Sequence, residues 1–158
     1  MIQTIAIYDI LTVWRDVLSN DSKLKEFCLA KYHKEPKIYL GIDLKNPPNA
    51  IDCPLIILCP GTKLEGEDEE EFRYAILVSW GIVNEKKKTN GNMIEYLGIR
   101  EADEFGQLIL LALSEANQDH PISSVHYELD SLDFFPQHCG EMRLEITVTR
   151  LMGAEMKY

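Results

Sequence analysis

Four cysteines and four histidines are the side chains of this sequence that could hold a soft metal ion. Structural zinc sites draw two ligands from one turn, in pairs two to four residues apart. Here Cys53 and Cys59 are separated by an apolar segment, and His138 is adjacent to Cys139, so the two side chains point apart. We therefore expect reduced, packed thiols, surface histidines and no metal or other cofactor. The candidate ligands considered are Cys28, His33, Cys53, Cys59, His138 and Cys139.

Cys139 is the candidate for a cysteine nucleophile, because it lies in a predicted turn and His120, His126 and His138 could supply a base. Such a site needs a base held by a third group and a lowered thiol pKa. Nothing in the spacing of these residues predicts either. The sequence also lacks the phosphate-binding and hydrolase motifs GxxxxGK[ST], GxGxxG, HExxH and GxSxG. We therefore predict that the protein is not an enzyme.

An acidic run is the densest cluster of charge in the chain. Its oxygens could bind calcium or magnesium, but the run lacks the alternating pattern, glycine and terminal glutamate of a helix-flanked calcium loop. We interpret it as a solvated loop that like charges keep extended. A third possibility is that several copies of the loop form an acidic surface in an oligomer. The run comprises Glu65, Glu67, Asp68, Glu69, Glu70 and Glu71.

Composition limits the function further. The chain has 158 residues, 46% of them hydrophobic and 27% charged, which is typical of one globular domain spanning residues 1–158. Its net charge of −10 argues against general nucleic-acid binding, and the basic run Lys86, Lys87 and Lys88 is short. No apolar segment is long enough to span a bilayer, and residues 1–18 do not resemble a secretory signal, so we expect an intracellular protein without membrane contact.

The spacing of apolar residues predicts the elements that must position these groups. Helical spacing covers residues 4–18, two turns or so within 24–32, and residues 99–117. Strand patterns cover residues 37–42, 55–59, 72–83, 124–132 and 141–151, and the alternation in 72–83 is typical of a central strand. Residues 61–71 and 84–92 are predicted to be surface connections.

This order predicts an α+β fold, with two helices packed on one face of a mainly antiparallel, mixed five-stranded sheet. The opposite sheet face would then be open. Phe134 and Phe135 lie in the turn before the last strand, where two adjacent side chains cannot both face one core. We expect one of them to contact a partner, or to cover a nearby helix end instead.

The last turn reads Phe134-Phe135-Pro136-Gln137-His138-Cys139-Gly140-Glu141 and leads into an alternating strand at residues 142–148. Together with the order of elements, it resembles the tail terminator proteins (tail completion or minor tail proteins) of long-tailed bacteriophages and prophages. In that family the domain ends in a hairpin with a similar turn, in which an aromatic residue and proline precede glycine. The acidic run falls where family members carry a variable hairpin, whereas the three lysines match no family pattern.

The resemblance implies a structural protein that acts in the host bacterial cytoplasm during assembly and then in the virion tail. It implies a homo-hexameric ring that caps the tail tube protein and offers a docking face to the head connector protein. An acidic lumen would let DNA pass without binding it specifically. Phe134 and Phe135 are candidate interface residues, and the acidic run and Lys86, Lys87 and Lys88 are candidates for an interface or the lumen.

Three other hypotheses are considered from the sequence. The chain could be another neck or head-completion subunit. It could also be a small-molecule or peptide binding module that uses the open sheet face, with Arg73, Glu141, Arg143 and Glu145 lining a polar site. A third class, a cysteine-dependent or metal-dependent enzyme, predicts a reactive Cys139 or bound metal.

Overall fold

The computed structural model describes residues 3–149 and Tyr158. It confirms the α+β prediction: helices cover one face of a mixed five-stranded sheet with the strand order β1-β2-β3-β7-β6. The helices are α1 (Ile7–Asn20), α2 (Ser22–Tyr32) and α3 (Gly98–Ala116), with a short 3-10 helix at Ala50–Asp52. The strands of the sheet are β1 (Lys37–Leu40), β2 (Leu55–Leu64), β3 (Glu71–Val83), β6 (Ile122–Asp130) and β7 (Gln137–Thr149). Two further strands, β4 (Lys87–Asn90) and β5 (Met93–Tyr96), form a separate hairpin.

Strand β3 lies at the centre of the sheet, as its sequence predicts. It pairs antiparallel with β2 on one side and with β7 along its whole length on the other. Its alternate residues point into the helix layer, where all are buried. Because a strand between two neighbours satisfies its backbone on both edges, a long apolar strand is stable there. The buried residues are Phe72, Tyr74, Ile76, Val78, Trp80 and Ile82.

The helices number three instead of two, because α1 and α2 are distinct. Asp21, which lies between them, is extended, and its carboxylate accepts a hydrogen bond from the Leu24 backbone N–H at 2.9 Å. An N-cap of this kind starts a new helix. The second helix runs for 11 residues, longer than its weak apolar pattern suggests. Leu24 and Cys28 anchor it in the core.

Two glycines admit a large aromatic side chain between α3 and β7. Gly106 and Gly140 both face Trp80, whose indole Nε1 donates a hydrogen bond to the Ala102 carbonyl at 2.8 Å. A Cβ at either glycine would come within 2.3 Å of the indole. Because neither glycine has a side chain, α3 can pack closely against the sheet around the indole.

Residues 84–92 were predicted to be a surface connection. They do lie at the surface between β3 and α3, but the prediction missed the hairpin that starts at Lys87, in which Asn90 pairs with Met93 around a two-residue turn. Gly91 has φ +60° there, as the first position of a tight hairpin turn requires. Strand β2 also continues to Leu64, into the predicted acidic loop. Arg150 and Leu151, the end of the predicted last strand, lie outside the described residues.

None of the helices in the described part of the chain is long and apolar enough to cross a membrane.

Candidate functional site

A groove lies on the open face of the sheet, at the end where β2 begins and β3 ends. Its volume is about 570 Å³. Leu55 and Ile57 of β2 form an apolar floor and continue into Ser79 of β3 and Cys139 of β7. Ile42 and Pro48, from the segment after β1, also line the groove, as does the connection between β6 and β7. A concave, partly apolar surface of this size falls within the range of about 300–1,000 Å³ seen for ligand sites.

The charged residues of the groove are all acidic. Glu128, Asp130, Asp133 and Glu141 line it, whereas no lysine, arginine or histidine does so among the described residues. Glu128 and Glu141 are directly opposite each other in the pairing of β6 with β7. Like charges at such positions are destabilising. The groove is therefore suited to a ligand that is apolar at its centre and cationic at its edge.

Asp130 shapes the connection that borders the groove. Its Oδ1 accepts hydrogen bonds from the backbone N–H groups of Leu132 at 2.9 Å and Asp133 at 3.0 Å. These two bonds lower the pKa of the Asp130 carboxyl against a small opposing effect of desolvation. The carboxylate therefore stays ionised and holds the start of residues 131–136 in place.

Phe134 and Phe135 point to different neighbours, as two adjacent residues in a turn were predicted to do. Phe134 lines the groove and is 61% exposed. The Phe135 ring packs edge-on against Tyr96 of the hairpin and against His138, with centroids 5.3 Å and 5.8 Å apart. Phe134 is therefore the more exposed ring and faces the groove, whereas Phe135, 46% exposed, packs at the base of the hairpin.

The β4–β5 hairpin carries the three lysines together with exposed apolar side chains. Lys87 and Lys88 are its first two residues, and the Lys86 carbonyl accepts the Leu97 N–H at 3.0 Å. Met93 and Ile94 lie on the second strand and are 64% and 60% exposed. Each face of the hairpin thus carries one of these exposed apolar side chains beside lysines, which is typical of a contact surface.

His138 was expected at the surface, and this prediction is wrong. Its side chain is fully buried on the helix face of β7, opposite to the face of Cys139. Nε2 lies 3.1 Å from the Asn84 carbonyl oxygen, and the ring fills the space that a side chain at Gly98 would need. His138 therefore joins the ends of the hairpin to the sheet. The alternation of β7 contained this signal, because His138 falls in register with the buried Met142.

The acidic run lies at the other end of the sheet, between β2 and β3, and Glu65 differs from its neighbours. The Glu65 carboxylate accepts hydrogen bonds from the Ile5 N–H at 3.0 Å, the Thr4 hydroxyl at 2.7 Å and the Tyr74 hydroxyl at 2.5 Å. It also pairs with Lys63. Glu65 thus ties the N-terminal segment to the sheet, whereas Glu67, Asp68, Glu70 and Glu71 are exposed and Glu69 is half-buried.

All four cysteines are free thiols in the structure. Burial raises the pKa of Cys28 and of Cys53 to about 12. Burial also raises the pKa of Cys139, which disfavours the thiolate that a nucleophile needs. Within residues 3–149 and Tyr158, no group of three or more His, Cys, Asp or Glu side chains is placed to hold a metal ion.

The four residues proposed for a polar binding site do not converge. Glu141 lines the groove, whereas Arg73, Arg143 and Glu145 are not among its lining residues. The Arg143 guanidinium instead donates a hydrogen bond to the Thr62 hydroxyl at 2.7 Å. Three of the four carboxylates of the groove were not singled out by the sequence: Glu128 and Asp130 of β6, and Asp133 of the following connection.

Neither a family model nor a curated protein matches this chain.

Proposed function

We propose that this chain is a phage assembly protein of the tail terminator type, a subunit of an oligomeric ring that caps the tail tube and docks the head connector. The observation that supports the proposal best is the difference between the two ends of the sheet. One end carries an acidic segment, and the other carries a concentration of exposed apolar side chains.

The apolar end is built by the groove, the connection 131–136 and the β4–β5 hairpin. Its side chains are exposed in the isolated chain, and a cluster of exposed apolar side chains is typical of a surface that contacts another protein. The large apolar residues of these three parts that are at least 40% exposed are Ile42, Met93, Ile94, Tyr96, Leu129, Leu132, Phe134 and Phe135.

The two kinds of surface at this end suit the geometry of a closed ring. Contacts around a ring are heterologous, so each subunit must present two different patches that fit each other. A projecting hairpin and a concave groove are two such patches. We propose a homo-hexamer, with Phe134 as an interface residue and Phe135 holding the hairpin that forms the other half of the contact.

The acidic end remains free when the apolar end is used for assembly. In a ring, several copies of Glu67, Asp68, Glu69, Glu70 and Glu71 would be brought together. A lumen with this charge repels the DNA backbone, so DNA passes without specific binding. The other partners in this proposal are the tail tube protein and the head connector protein, in the virion tail after assembly in the bacterial cytoplasm.

The groove also favours a second candidate function, that of a peptide-binding module. Its apolar floor and acidic lining would accept a short cationic peptide from another protein. A saturable rise in melting temperature with such a peptide, from a chain that stays monomeric, would support this alternative.

Electron microscopy of tail tubes tests the proposed function. Tubes assembled from the tail tube protein encoded in the same genome are incubated with this protein and examined at their ends. We expect annular density that closes the tube ends. Tubes whose ends stay bare at protein concentrations well above those of the tube would overturn the proposal.

A further inference from the structure

We infer that the contact between copies is made by the β4–β5 hairpin of one copy binding in the open-face groove of the next. This inference rests on the proposed self-assembly and specifies the two surfaces that meet. Its basis is the complementarity of charge and of apolar area between the groove and the hairpin.

The groove contains a repulsion that the isolated chain does not relieve. Glu128 and Glu141 face each other across β6 and β7, and both line the groove. The only basic side chain within 4.0 Å of either carboxylate, among the described residues, is His126, at 3.9 Å from Glu128. A cation supplied from outside would offset this repulsion.

The hairpin supplies cations that have no partner of their own. Within the described part of the chain, Lys86, Lys87 and Lys88 make no ion pair with a carboxylate at 4.0 Å or less. Lys88 lies opposite Glu95 in the pairing of β4 with β5, so Lys86 and Lys87 carry most of the uncompensated charge. Lys87 shares its face of the hairpin with Ile94, because Thr89 is paired with Ile94.

The apolar parts match in the same way. The groove offers the exposed side chains of Ile42 and Phe134, above the buried Leu55 and Ile57. The hairpin offers Ile94 on the same face as Lys87, and Met93 on the opposite face. Each hairpin strand is four residues long, about 13 Å at the usual rise of a strand. All residues of both strands are exposed, so the hairpin is accessible to another copy.

A hairpin is held away from the groove of its own chain. Phe134 lines the groove, whereas the next residue, Phe135, packs against Tyr96 at the hairpin base. Among the described residues, none from the hairpin lines the groove of its own chain. A contact between them joins different copies and is heterologous, which is the kind of contact that closes a ring.

Charge reversal tests the inference on the full-length chain. The hairpin variant is Lys86→Glu with Lys87→Glu, and the groove variant is Glu128→Lys with Asp133→Lys. We expect each variant to raise the protein concentration at which half of the chains are assembled by on the order of tenfold or more, because like charges then face each other. The variant with all four substitutions restores opposite charges, and we expect it to assemble within about threefold of the unmodified chain. Lys23→Glu with Lys25→Glu on α2 is the control with matched charge, and it should assemble normally.

Zero-length carbodiimide cross-linking of a mixture of ¹⁵N-labelled and unlabelled chains provides a second readout. We expect Lys86 or Lys87 to be joined to a groove carboxylate in peptides that combine both isotopes. The inference would be overturned if the unmodified chain assembles, the fourfold variant does not regain assembly, and no mixed-isotope links to the groove are found. That outcome would leave the proposed function standing. An unmodified chain that stays monomeric would overturn both.

Discussion

The Tyr96 ring packs edge-on against the Phe135 ring, with centroids 5.3 Å apart, and joins the last residue of the β4–β5 hairpin to the connection that borders the groove. Phe134, the preceding residue, faces the groove instead. The two adjacent phenylalanines therefore contact different parts of the molecule. The difference can be measured, because one ring contributes to the fold and the other is exposed to a partner.

Phe135→Ala should destabilise the chain, because Tyr96 and His138 both lose an aromatic neighbour. The expected loss in free energy of unfolding is about 1–2 kcal/mol, measured by urea denaturation. Phe134→Ala is the matched control. It should change the free energy of unfolding by less than about 0.5 kcal/mol, since its ring is mostly exposed, but weaken self-association. The reverse order of the two effects would contradict the assignment.

Glu128→Gln should stabilise the single subunit and weaken its assembly. Neutralising one of the two facing carboxylates removes the repulsion with Glu141, which is worth about 0.2–1 kcal/mol across a strand pair. The same change removes a carboxylate that, in our proposal, binds the hairpin lysines of the next copy. Thermal unfolding of dilute protein and sedimentation at high concentration measure the two effects. Glu115→Gln, on α3 and away from the groove, is the control and should leave assembly unchanged. A variant that loses stability and assembles normally would rule out this role for Glu128.

Gly106→Ala should destabilise the protein, although alanine in a helix is normally favoured over glycine by about 1 kcal/mol. The new Cβ would lie 2.3 Å from the buried indole of Trp80, which cannot move without disturbing the core. Overpacking of this kind costs about 1–3 kcal/mol, so the clash outweighs the gain in propensity. Urea denaturation measures the difference, and Ser114→Ala at an exposed position of the same helix serves as the control. A more stable Gly106→Ala variant would show that Trp80 does not limit the approach of α3.

Stability should fall at acid pH through Glu65. Burial acts to raise the pKa of this carboxyl, but the hydrogen bonds from Tyr74, Ile5 and Thr4 and the charge of Lys63 lower it overall. A lowered folded-state pKa gives stability that is present above the ordinary glutamate pKa of about 4.3 and is lost as pH falls through the folded value. The free energy of unfolding of the unmodified chain should therefore exceed that of Glu65→Gln at pH 7, and the difference should narrow as the pH falls below about 4. A constant difference down to pH 3 would exclude this contribution.

The main elements of the fold could be predicted because their apolar periods are strong. The alternation from Phe72 to Ile82 identified the central strand, and the helical spacing from Ala102 to Leu113 identified the long helix. The hairpin was missed because both of its strands are short and exposed, and the first strand is polar. Without a buried face, the sequence of these strands shows no alternation of apolar residues. Its turn also uses Gly91 and Asn92, whereas the Asn90-Gly91 pair suggested only a connection.

The groove could be predicted only in part. That the sheet face opposite the helices would be open followed from the layer arrangement. Its acidic lining depends on the register that places Glu128 opposite Glu141, and register is a long-range property that one strand does not encode. The burial of His138 was missed because the last strand was predicted to begin at residue 141, whereas β7 begins at Gln137 and carries His138 on its buried face.

The absolute mass in solution, measured by light scattering across protein and salt concentration, tests the central claim of self-assembly most directly. We expect a mass that rises with protein concentration toward about six times that of one chain, and that falls as salt screens the contact between hairpin and groove. A mass equal to that of one chain at every concentration and at low salt would contradict the account.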